Sequence, residues 1–398
     1  MKAGWQTKKL GDVCDFEGGS QPPKSEFIYE EMPGFVRFLQ IRDFGSDKNI
    51  TYIRHSKKNR LCKENDILIG RYGASVGKVL TNKAGAYNVA LMKTIPNLDV
   101  LAHSWFYYFL ISDEFQKPLL DVADRSAQAG FSKDDIYNFP VPIPSLPDQH
   151  RIVAILDEAF DGIATAKANA EKNLQNARAL FESHLQSVFT ERGEGWVDNK
   201  LKTITTKIGS GATPRGGEES YKTEGVSLIR SLNVHDSAFK YAKLAFLDDA
   251  QAADLSNVEV KVRDVLLNIT GASVARCCIV PDDVLPARVN QHVSIVRPLP
   301  DVLAPEFLHY LLISKPYKDK LLQTGEEGGS TRQAITKAQI QDFTVSYPES
   351  IDTQFTIVAR LDFMFAETQR LESIYQQKLT ALDDLKKSLL HQAFSGNL

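Results

Sequence analysis

The chain is built from two diverged copies of one long segment, and this internal repeat limits its possible folds more than any other feature. Matching residues run through both copies in the same order: Gly4-Trp5 with Gly195-Trp196, Gly73-Ala74-Ser75-Val76 with Gly271-Ala272-Ser273-Val274, and Phe139 with Phe343. The repeat is too long for a solenoid, so the sequence predicts two similar domains related by pseudo-symmetry. Two similar but unequal domains would engage a target with two similar but unequal halves.

Each copy ends in a run that predicts one long helix, over residues 149–192 and 353–398. Apolar residues in both runs recur in alternating steps of three and four, which indicates a coiled-coil seam. Both seams contain two successive steps of four at matching positions: Ala166, Ala170 and Leu174, and Leu371, Tyr375 and Leu379. Forty residues of helix would extend about 60 Å at about 1.5 Å per residue. The shared irregularity favours antiparallel pairing of the two helices, which would separate the domains. The alternative is that each helix packs on its own domain.

The remaining parts, residues 1–148 and 193–352, predict two compact α+β domains. Strand-like runs alternate there with short helical runs, and turns rich in Gly, Pro, Asn and Asp separate them. The predicted fold class is therefore α+β, with two pseudo-symmetric domains of mixed α/β content and a pair of long antiparallel coiled-coil helices between them.

The composition is that of a soluble globular protein, with 43% hydrophobic and 24% charged residues among 398. No apolar stretch is long enough to span a membrane, and nothing near Met1 resembles a secretory signal, so no membrane partner is expected. The four cysteines form neither a Cys-x-x-Cys pair nor a disulfide framework, and the eight histidines lack metal-ligand spacing. We expect a cytoplasmic setting and no metal.

Several motifs recur in the same order in both copies. Each copy opens with Gly-Trp, and Asp66-Ile67-Leu68-Ile69 leads into Gly73-Ala74-Ser75-Val76-Gly77-Lys78. Each domain closes with Ile-x-x-Phe-x-Val-x-x-Pro ahead of a helix that begins Gln-x-x-Ile-Val. This order resembles the specificity subunit of Type I restriction–modification enzymes over essentially the whole chain. The chain departs from that family at the helix starts, where the family's Pro-x-x-Glu-Gln reads Pro147-Asp148-Gln149 in the first copy and keeps only Gln354 in the second.

The resemblance implies a function, a set of partners and the absence of catalysis in this chain. Each target-recognition domain would read one half of a split, asymmetric double-stranded DNA sequence, and the helices would set the spacer and dock two methyltransferase subunits. A restriction/translocase subunit would join through that complex. S-adenosylmethionine would be bound by the methyltransferase subunit, and this chain would hold no cofactor. The helix starts predict the partner-binding residues Gln149, Ile152, Gln354 and Ile357.

Sequence readout requires side chains that present donors and acceptors to base edges, chiefly Arg, Lys, Asn and Gln, while Ser and Thr bind phosphate. In the first domain the candidates are Lys24, Arg37, Arg42, Lys57, Lys58, Arg71, Tyr72, Ser75, Lys78 and Arg125. In the second domain they are Arg215, Arg230, Asn233, Thr270, Ser273, Arg276, Asn290, Gln291, Ser330, Thr331, Arg332 and Gln333. The alternatives are a solvated loop or strand edge around Lys57 and an ordinary loop over a domain edge around Arg332.

Other functions compete with DNA reading. The net charge of −3 requires any nucleic-acid contact to come from a local patch or to be shared with a more basic partner. A coiled-coil adaptor that holds two protein partners without DNA contact therefore stays open. A metal-dependent nuclease would use Glu259-Val260-Lys261 after Asp248-Asp249, but the first copy has Leu61-Cys62-Lys63 at the matching place. The Gly73 to Lys78 motif lacks the spacing of a phosphate-binding loop.

Overall fold

The computed structural model describes residues 4–124, 130–326 and 334–398. The chain forms two compact units, the first of residues 1–171 and 376–398 and the second of residues 172–375. Each unit therefore takes one half of each long helix in addition to its own sheets. The domain limits expected from the sequence stay predictions.

The elements of the first unit follow one another from the N-terminus. Its strands are β1 (Gln6–Lys9), β2 (Cys14–Gly18), β3 (Phe35–Leu39), β4 (Tyr52–Arg54), β5 (Leu61–Cys62), β6 (Leu68–Gly70), β7 (Val79–Leu80), β8 (Gly85–Tyr87), β9 (Leu91–Pro96) and β10 (Pro140–Ile143). Its helices are α1 (Leu10–Val13), α2 (His103–Ile111), α3 (Asp113–Ala123), α4 (Lys133–Tyr137) and the long α5 (Leu146–Glu191), which continues into the second unit.

The second unit repeats this sequence of elements. Its strands are β11 (Trp196–Lys200), β12 (Thr205–Ser210), β13 (Val226–Ile229), β14 (Val234–His235), β15 (Ala238–Phe239), β16 (Ala245–Leu247), β17 (Glu259–Val260), β18 (Val265–Asn268), β19 (Cys277–Ile279), β20 (Ala287–Val289), β21 (Val293–Pro298) and β22 (Thr344–Pro348). Its helices are α6 (Leu201–Ile204), α7 (Asp249–Asp254), α8 (Pro305–Ile313), α9 (Lys315–Glu326), α10 (Lys337–Asp342) and the long α11 (Ile351–Ser395), whose last part returns to the first unit.

The sheets of the two units have the same strand order. The first unit has a sheet β2-β9-β6-β7, a sheet β4-β3-β8-β5 and the pair β1-β10; the second has β12-β21-β18-β19, β16-β13-β20-β17 and the pair β11-β22. In each unit the two central strands of the second sheet are parallel, with Leu39 opposite Tyr87 and Ile229 opposite Val289. The hairpin β14-β15 has no counterpart among the described strands of the first unit. The α+β fold class and its pseudo-symmetry are confirmed.

Local sequence signals explain several helix starts. Helix α4 begins at a capping box in which the Asp135 carboxylate accepts the Ser132 amide at 2.7 Å. Helix α10 begins in the same way, with the Gln339 side chain accepting the Thr336 amide at 2.8 Å. These two capping boxes occupy matching places in the repeat, so both copies specify the same turn before the last strand of the unit.

The last turns of the long helices complete the cores of the units. In the first unit, Phe394 from the end of α11 lies against Trp105 on α2, with ring centroids 4.5 Å apart. In the second unit, Phe189 from the end of α5 lies against Phe307 on α8 at 5.4 Å. All four side chains are buried, and burial of aromatic rings of this size is a major contribution to the stability of each unit.

The long helices pair in an antiparallel manner inside each unit. In the first unit, the Lys167 ammonium lies 2.7 Å from the Asp383 carboxylate. In the second unit, Arg178 lies 2.9 Å from Glu372, and residues later in α5 meet earlier ones in α11. The predicted antiparallel coiled coil is confirmed. The helix pattern also places Leu385 in the seam, but Leu385 is 46% exposed, whereas Leu382 and Leu389 on either side of it are half-buried.

Candidate nucleic-acid interface

Four loops of the first unit meet at one edge of its sheets, which we call the first loop edge. They follow β2, β3, β6 and β8. Backbone hydrogen bonds join them: Ser20 donates to the Tyr87 carbonyl at 3.1 Å, and Asn88 donates to the Leu39 carbonyl at 3.1 Å. The Arg71 amide donates to the Ala90 carbonyl at 2.9 Å. Strand register thus gathers residues that are far apart in the sequence.

The second unit forms an equivalent second loop edge after β12, β13, β18 and β20. Asn290 donates to the Ile229 carbonyl at 3.1 Å, as Asn88 does to Leu39 in the first unit. Gly211 donates to the Asn290 carbonyl at 3.1 Å, and a β-carbon at Gly211 would lie only 1.8 Å from the Val289 carbonyl oxygen. Close approach of the loops therefore requires glycine at this position.

Most of the residues predicted for the first domain lie on the first loop edge. Arg71, Tyr72 and Ser75 follow β6, and the Arg71 guanidinium lies over the Tyr72 ring, 5.0 Å from its centroid. Arg42 is in the exposed turn after β3, and Lys24 is exposed in the loop after β2. Lys78 is exposed where the turn after β6 enters β7. The edge therefore offers cations with an aromatic ring among them, as phosphate and base contacts require.

Three predicted residues of the first domain lie elsewhere. Arg37 is on β3 and forms an ion pair with Asp47. The ammonium of Lys83 and the guanidinium of Arg37 hold the pKa of the Asp47 carboxyl below its usual range. Lys57 and Lys58 are exposed in the turn between β4 and β5, which are the edge strands of one sheet. Their contact with DNA stays a prediction.

A charged network lies under the first loop edge. The Glu17 carboxylate accepts the Tyr87 hydroxyl at 2.9 Å and lies 2.8 Å from the Arg60 guanidinium and 3.4 Å from the Lys93 ammonium. Partial burial raises the pKa of Glu17, but the Tyr87 hydrogen bond and the two cations outweigh it, so the pKa lies below its usual value. The network keeps a carboxylate ionised beside the first loop edge, and the sequence pattern did not reveal it.

On the second loop edge, three of the predicted residues use their side chains inside the unit. Arg230 forms a 2.7 Å ion pair with Glu218. The buried Asn233 accepts the Arg230 amide at 3.0 Å and donates to the Lys240 carbonyl at 2.8 Å. The buried Asn290 accepts the His292 amide at 3.0 Å. These side chains fix the backbone of the loops.

The other predicted residues of the second domain reach the surface. Arg215 and Gln291 are exposed, and Ser273 and Arg276 are half-buried. Ser273 and Arg276 line a cleft of ≈ 430 Å³ together with Thr270 and His292. Thr213 and His292 were missed in the sequence analysis, and their only sequence signal is that they adjoin predicted loop residues. Five predicted residues lie outside the described part of the chain: Arg125, Ser330, Thr331, Arg332 and Gln333.

The predicted partner-binding glutamines are fully buried and make matching sets of hydrogen bonds. Gln149 accepts the Ala102 amide at 2.7 Å and donates to the carbonyls of Val100 and Pro144. Gln354 accepts the Ala304 amide at 2.8 Å and donates to the carbonyls of Val302 and Pro348. Ile152 is also fully buried, and Ile357 is half-buried. In this chain the glutamines fasten each long helix to its own unit, and their contact with a partner stays a prediction.

The carboxylates considered for a nuclease site have local structural roles. Asp248 caps α7 by accepting the Gln251 amide at 2.9 Å, and it lies 3.2 Å from the Lys222 ammonium. Within residues 4–124, 130–326 and 334–398, no three His, Cys, Asp or Glu side chains form a group able to hold a metal ion. Over the same ranges, no helix combines the length and the hydropathy that a membrane span needs.

The fold, with paired units and an antiparallel helix pair in each, is that of solved Type I specificity subunits. One similar structure is a chain from a study of complex assembly and conformational transition in the type I restriction–modification system, with a TM-score of 0.78, 18% identity and coverage of 100% and 99% of the two chains. Another is the HsdS subunit from Thermoanaerobacter tengcongensis, with a TM-score of 0.61, 18% identity and coverage of 100% and 98%.

The sequence comparisons agree with this fold. The family model of the Type I restriction modification DNA specificity domain matches residues 2–175. The chain is 22% identical to the MjaVIII specificity subunit of Methanocaldococcus jannaschii, over 99% of this chain and 93% of the relative. It is 24% identical to the EcoBI specificity subunit of Escherichia coli, over 99% of this chain and 86% of the relative. The resemblance to Type I specificity subunits is confirmed.

Proposed function

We propose that this chain is the DNA sequence-specificity subunit of a Type I restriction–modification complex, in which each unit reads one half of a bipartite target. The observation that carries the proposal is the repeated loop edge. Residues 2–175 match the model of a DNA specificity domain family, and the second unit has the same strand orders in its sheets and the same four loops at one edge. A surface that is repeated in this way suits a ligand with two comparable binding segments.

The side chains on the two loop edges differ, which supports an asymmetric target. Arg71 and Tyr72 in the first unit correspond to Ile269 and Thr270 in the second, because each pair directly precedes a Gly-Ala-Ser turn. A guanidinium over an aromatic ring and a threonine hydroxyl present different groups to a base edge. The two half-sites are therefore unlike in sequence.

The long helices would set the spacer and dock two methyltransferase subunits. Their surfaces repeat: Leu180 in the second unit is 64% exposed, and Leu385, at the matching place in the first unit, is 46% exposed. An exposed leucine at the same place in both copies fits a partner that is present in two copies. In this proposal catalysis and the S-adenosylmethionine site belong to the methyltransferase, the restriction/translocase subunit joins through the complex, and this chain supplies sequence choice in the cytoplasm.

The proposal is tested by sequencing the methylated positions in DNA treated with the chain assembled with its methyltransferase subunits. We expect two short specific sequences separated by a spacer of fixed length and arbitrary sequence. Removing seven residues from each long helix, which keeps the seam in phase, should shorten that spacer. Methylation without sequence preference would favour the adaptor alternative, and a spacer unchanged by the deletion would contradict the role of the helices.

A further inference from the structure

The second loop edge carries a continuous row of side-chain hydrogen bonds that joins three loops. Thr213, after β12, donates to the Gln291 amide oxygen at 2.5 Å. The Gln291 amide nitrogen lies 3.1 Å from His292 Nε2, and His292 Nδ1 lies 2.6 Å from the Thr270 hydroxyl. Gln291 is exposed at the surface, yet its amide is held by hydrogen bonds to both of its polar atoms.

The direction of these bonds follows from the groups involved. The Gln291 amide nitrogen can only donate, so His292 Nε2 accepts, and the neutral imidazole carries its proton on Nδ1 and donates to Thr270. If the Gln291 amide were rotated by 180°, its nitrogen would donate to Thr213 and its oxygen would accept from His292 Nε2. The number of free donor and acceptor positions on the amide would be the same. In either orientation Gln291 keeps one N–H and one oxygen lone pair that point away from the row. The backbone beneath is also fixed, because the Ile269 amide donates to the His292 carbonyl at 3.0 Å.

One donor and one acceptor on a planar amide match the edge that adenine presents in the major groove, where N6 donates and N7 accepts. A surface glutamine normally loses rotamer freedom when it binds, which weakens its contribution to affinity. Here Thr213 and His292 have already restricted the side chain. The row therefore prepares Gln291 for a bidentate contact with an adenine.

The first unit does not repeat this arrangement. The matching positions hold Tyr72 in place of Thr270 and Val89 in place of Gln291, and both side chains are 39% exposed. Val89 and Gln291 are equivalent because each follows an asparagine, Asn88 or Asn290. The backbone amide of that asparagine donates to the carbonyl of the last residue of β3 or β13. Valine has no hydrogen-bonding group to offer a base, so this contact distinguishes the two units.

We propose that Gln291, positioned by Thr213, His292 and Thr270, determines the choice of adenine at one position of the half-site read by the second unit. This inference rests on the proposed function and names a specificity-determining residue within it. Gln291 touches the base, whereas Thr213, His292 and Thr270 act through Gln291.

The test uses the full chain assembled with its methyltransferase subunits and a DNA library randomised over the recognised positions, followed by sequencing of methylated molecules. Gln291→Ala should lower the preference for adenine at one position of one half-site by about 5-fold to 100-fold and leave the other half-site unchanged. Gln291→Glu, which replaces the donor by a second acceptor, should move the preference at that position toward cytosine.

Two further variants test whether Thr213 acts by positioning Gln291 or only by contributing to the folding of the chain. Thr213→Val removes only the hydroxyl and should lower the preference at the same position by a few-fold, with the total yield of methylation nearly unchanged. Val262→Ala changes an exposed residue at the opposite end of β18 and should alter nothing.

An equal loss over all sequences in Gln291→Ala, with the base preference kept, would overturn the inference by assigning Gln291 to the phosphate backbone. An unchanged profile in Gln291→Ala would overturn it by removing Gln291 from the interface. If the unmodified complex itself methylates without sequence preference, the proposed function fails, and that result is distinct from either outcome.

Discussion

At the scale of single residues, the buried polar side chains show how each long helix is fixed to its unit. Gln149 and Gln354 each accept one backbone amide and donate to two backbone carbonyls. A buried polar group left without a hydrogen bond is costly, so these glutamines are specific to their positions. The same sets of atoms are joined in both copies of the repeat.

Replacing Gln149 or Gln354 by alanine should therefore lower the free energy of unfolding by about 2–4 kcal/mol. Each substitution removes the hydrogen bonds that the glutamine makes with one backbone N–H and two carbonyls. The matched control is Gln376→Ala on the exposed surface of α11, which should change stability by no more than about 0.5 kcal/mol. Urea unfolding of the full chain measures the difference. Equal midpoints for the two kinds of variant would show that the buried bonds contribute nothing.

His309 on α8 gives the second unit a stability that depends on pH. Burial lowers the pKa of the imidazole to about 4, and the nearby carboxylates of Asp236 and Glu306 offset this only in part. The unfolded chain titrates near its usual pKa of about 6.5. Between these two values the unfolded state binds more protons than the folded state, so stability falls as the pH falls.

We expect His309 to account for a loss of about 2 kcal/mol in the free energy of unfolding between pH 7 and pH 5, from about 1.4 kcal/mol per pH unit below 6.5. His309→Gln removes the titrating group, so the variant should lose less stability than the unmodified chain over this range. Urea midpoints at both pH values give the comparison. The same loss in both proteins would place the pH dependence in other groups.

At the scale of elements, the two long helices bury and expose matching residues. Leu156 on α5 and Leu361 on α11 occupy equivalent places in the repeat, and both are fully buried in the cores of their units. Leu180 and Leu385 form a second equivalent pair, and both are exposed. The buried face therefore determines packing, and the exposed leucines are available for contacts with a partner.

Leu156→Ala and Leu361→Ala should each lower the free energy of unfolding by about 2–5 kcal/mol, because each removes buried apolar surface and leaves a cavity. Leu180→Ala and Leu385→Ala should change it by about 0.5 kcal/mol or less. The four variants are compared by urea unfolding under identical conditions. A large loss from the exposed pair would mean that these leucines pack inside the chain in solution.

At the scale of the whole molecule, the repeat produces two units that each hold their own loops in place. Every hydrogen bond described on the second loop edge joins residues of the second unit, from Thr213 to His292. The bonds of the first loop edge likewise stay within the first unit. The base preference of each unit should therefore be independent of the other.

Exchanging residues 193–352 for the corresponding segment of a related chain should change one half of the recognised sequence and leave the other half intact. The physical reason is that the exchanged loops bring their own supporting contacts with them. Sequencing of methylated DNA from the exchanged complex measures both halves at once. A change in both halves, or in neither, would contradict independent reading by the two units.

Much of the architecture follows from the sequence alone. The spacing of apolar residues predicts both long helices and their pairing, and the matching Gly-Ala-Ser-Val segments predict two units of one fold. Capping residues such as Ser132 and Thr336 fix helix starts through contacts only three residues apart. These features are readable because they depend on neighbours along the chain, where spacing and residue type carry the information.

The roles of the polar side chains were decided by the tertiary structure. Gln149 is buried and bonded to Ala102, which is 47 residues away in the sequence, and the sequence alone does not show this structural role. Conversely, Thr213 and His292 carry no signal of their own, and they join Thr270 and Gln291 in a row only because strand register places their loops at one edge. A hydrogen bond is set by distance and direction in space, and residues far apart in the sequence acquire both only when the sheets have formed.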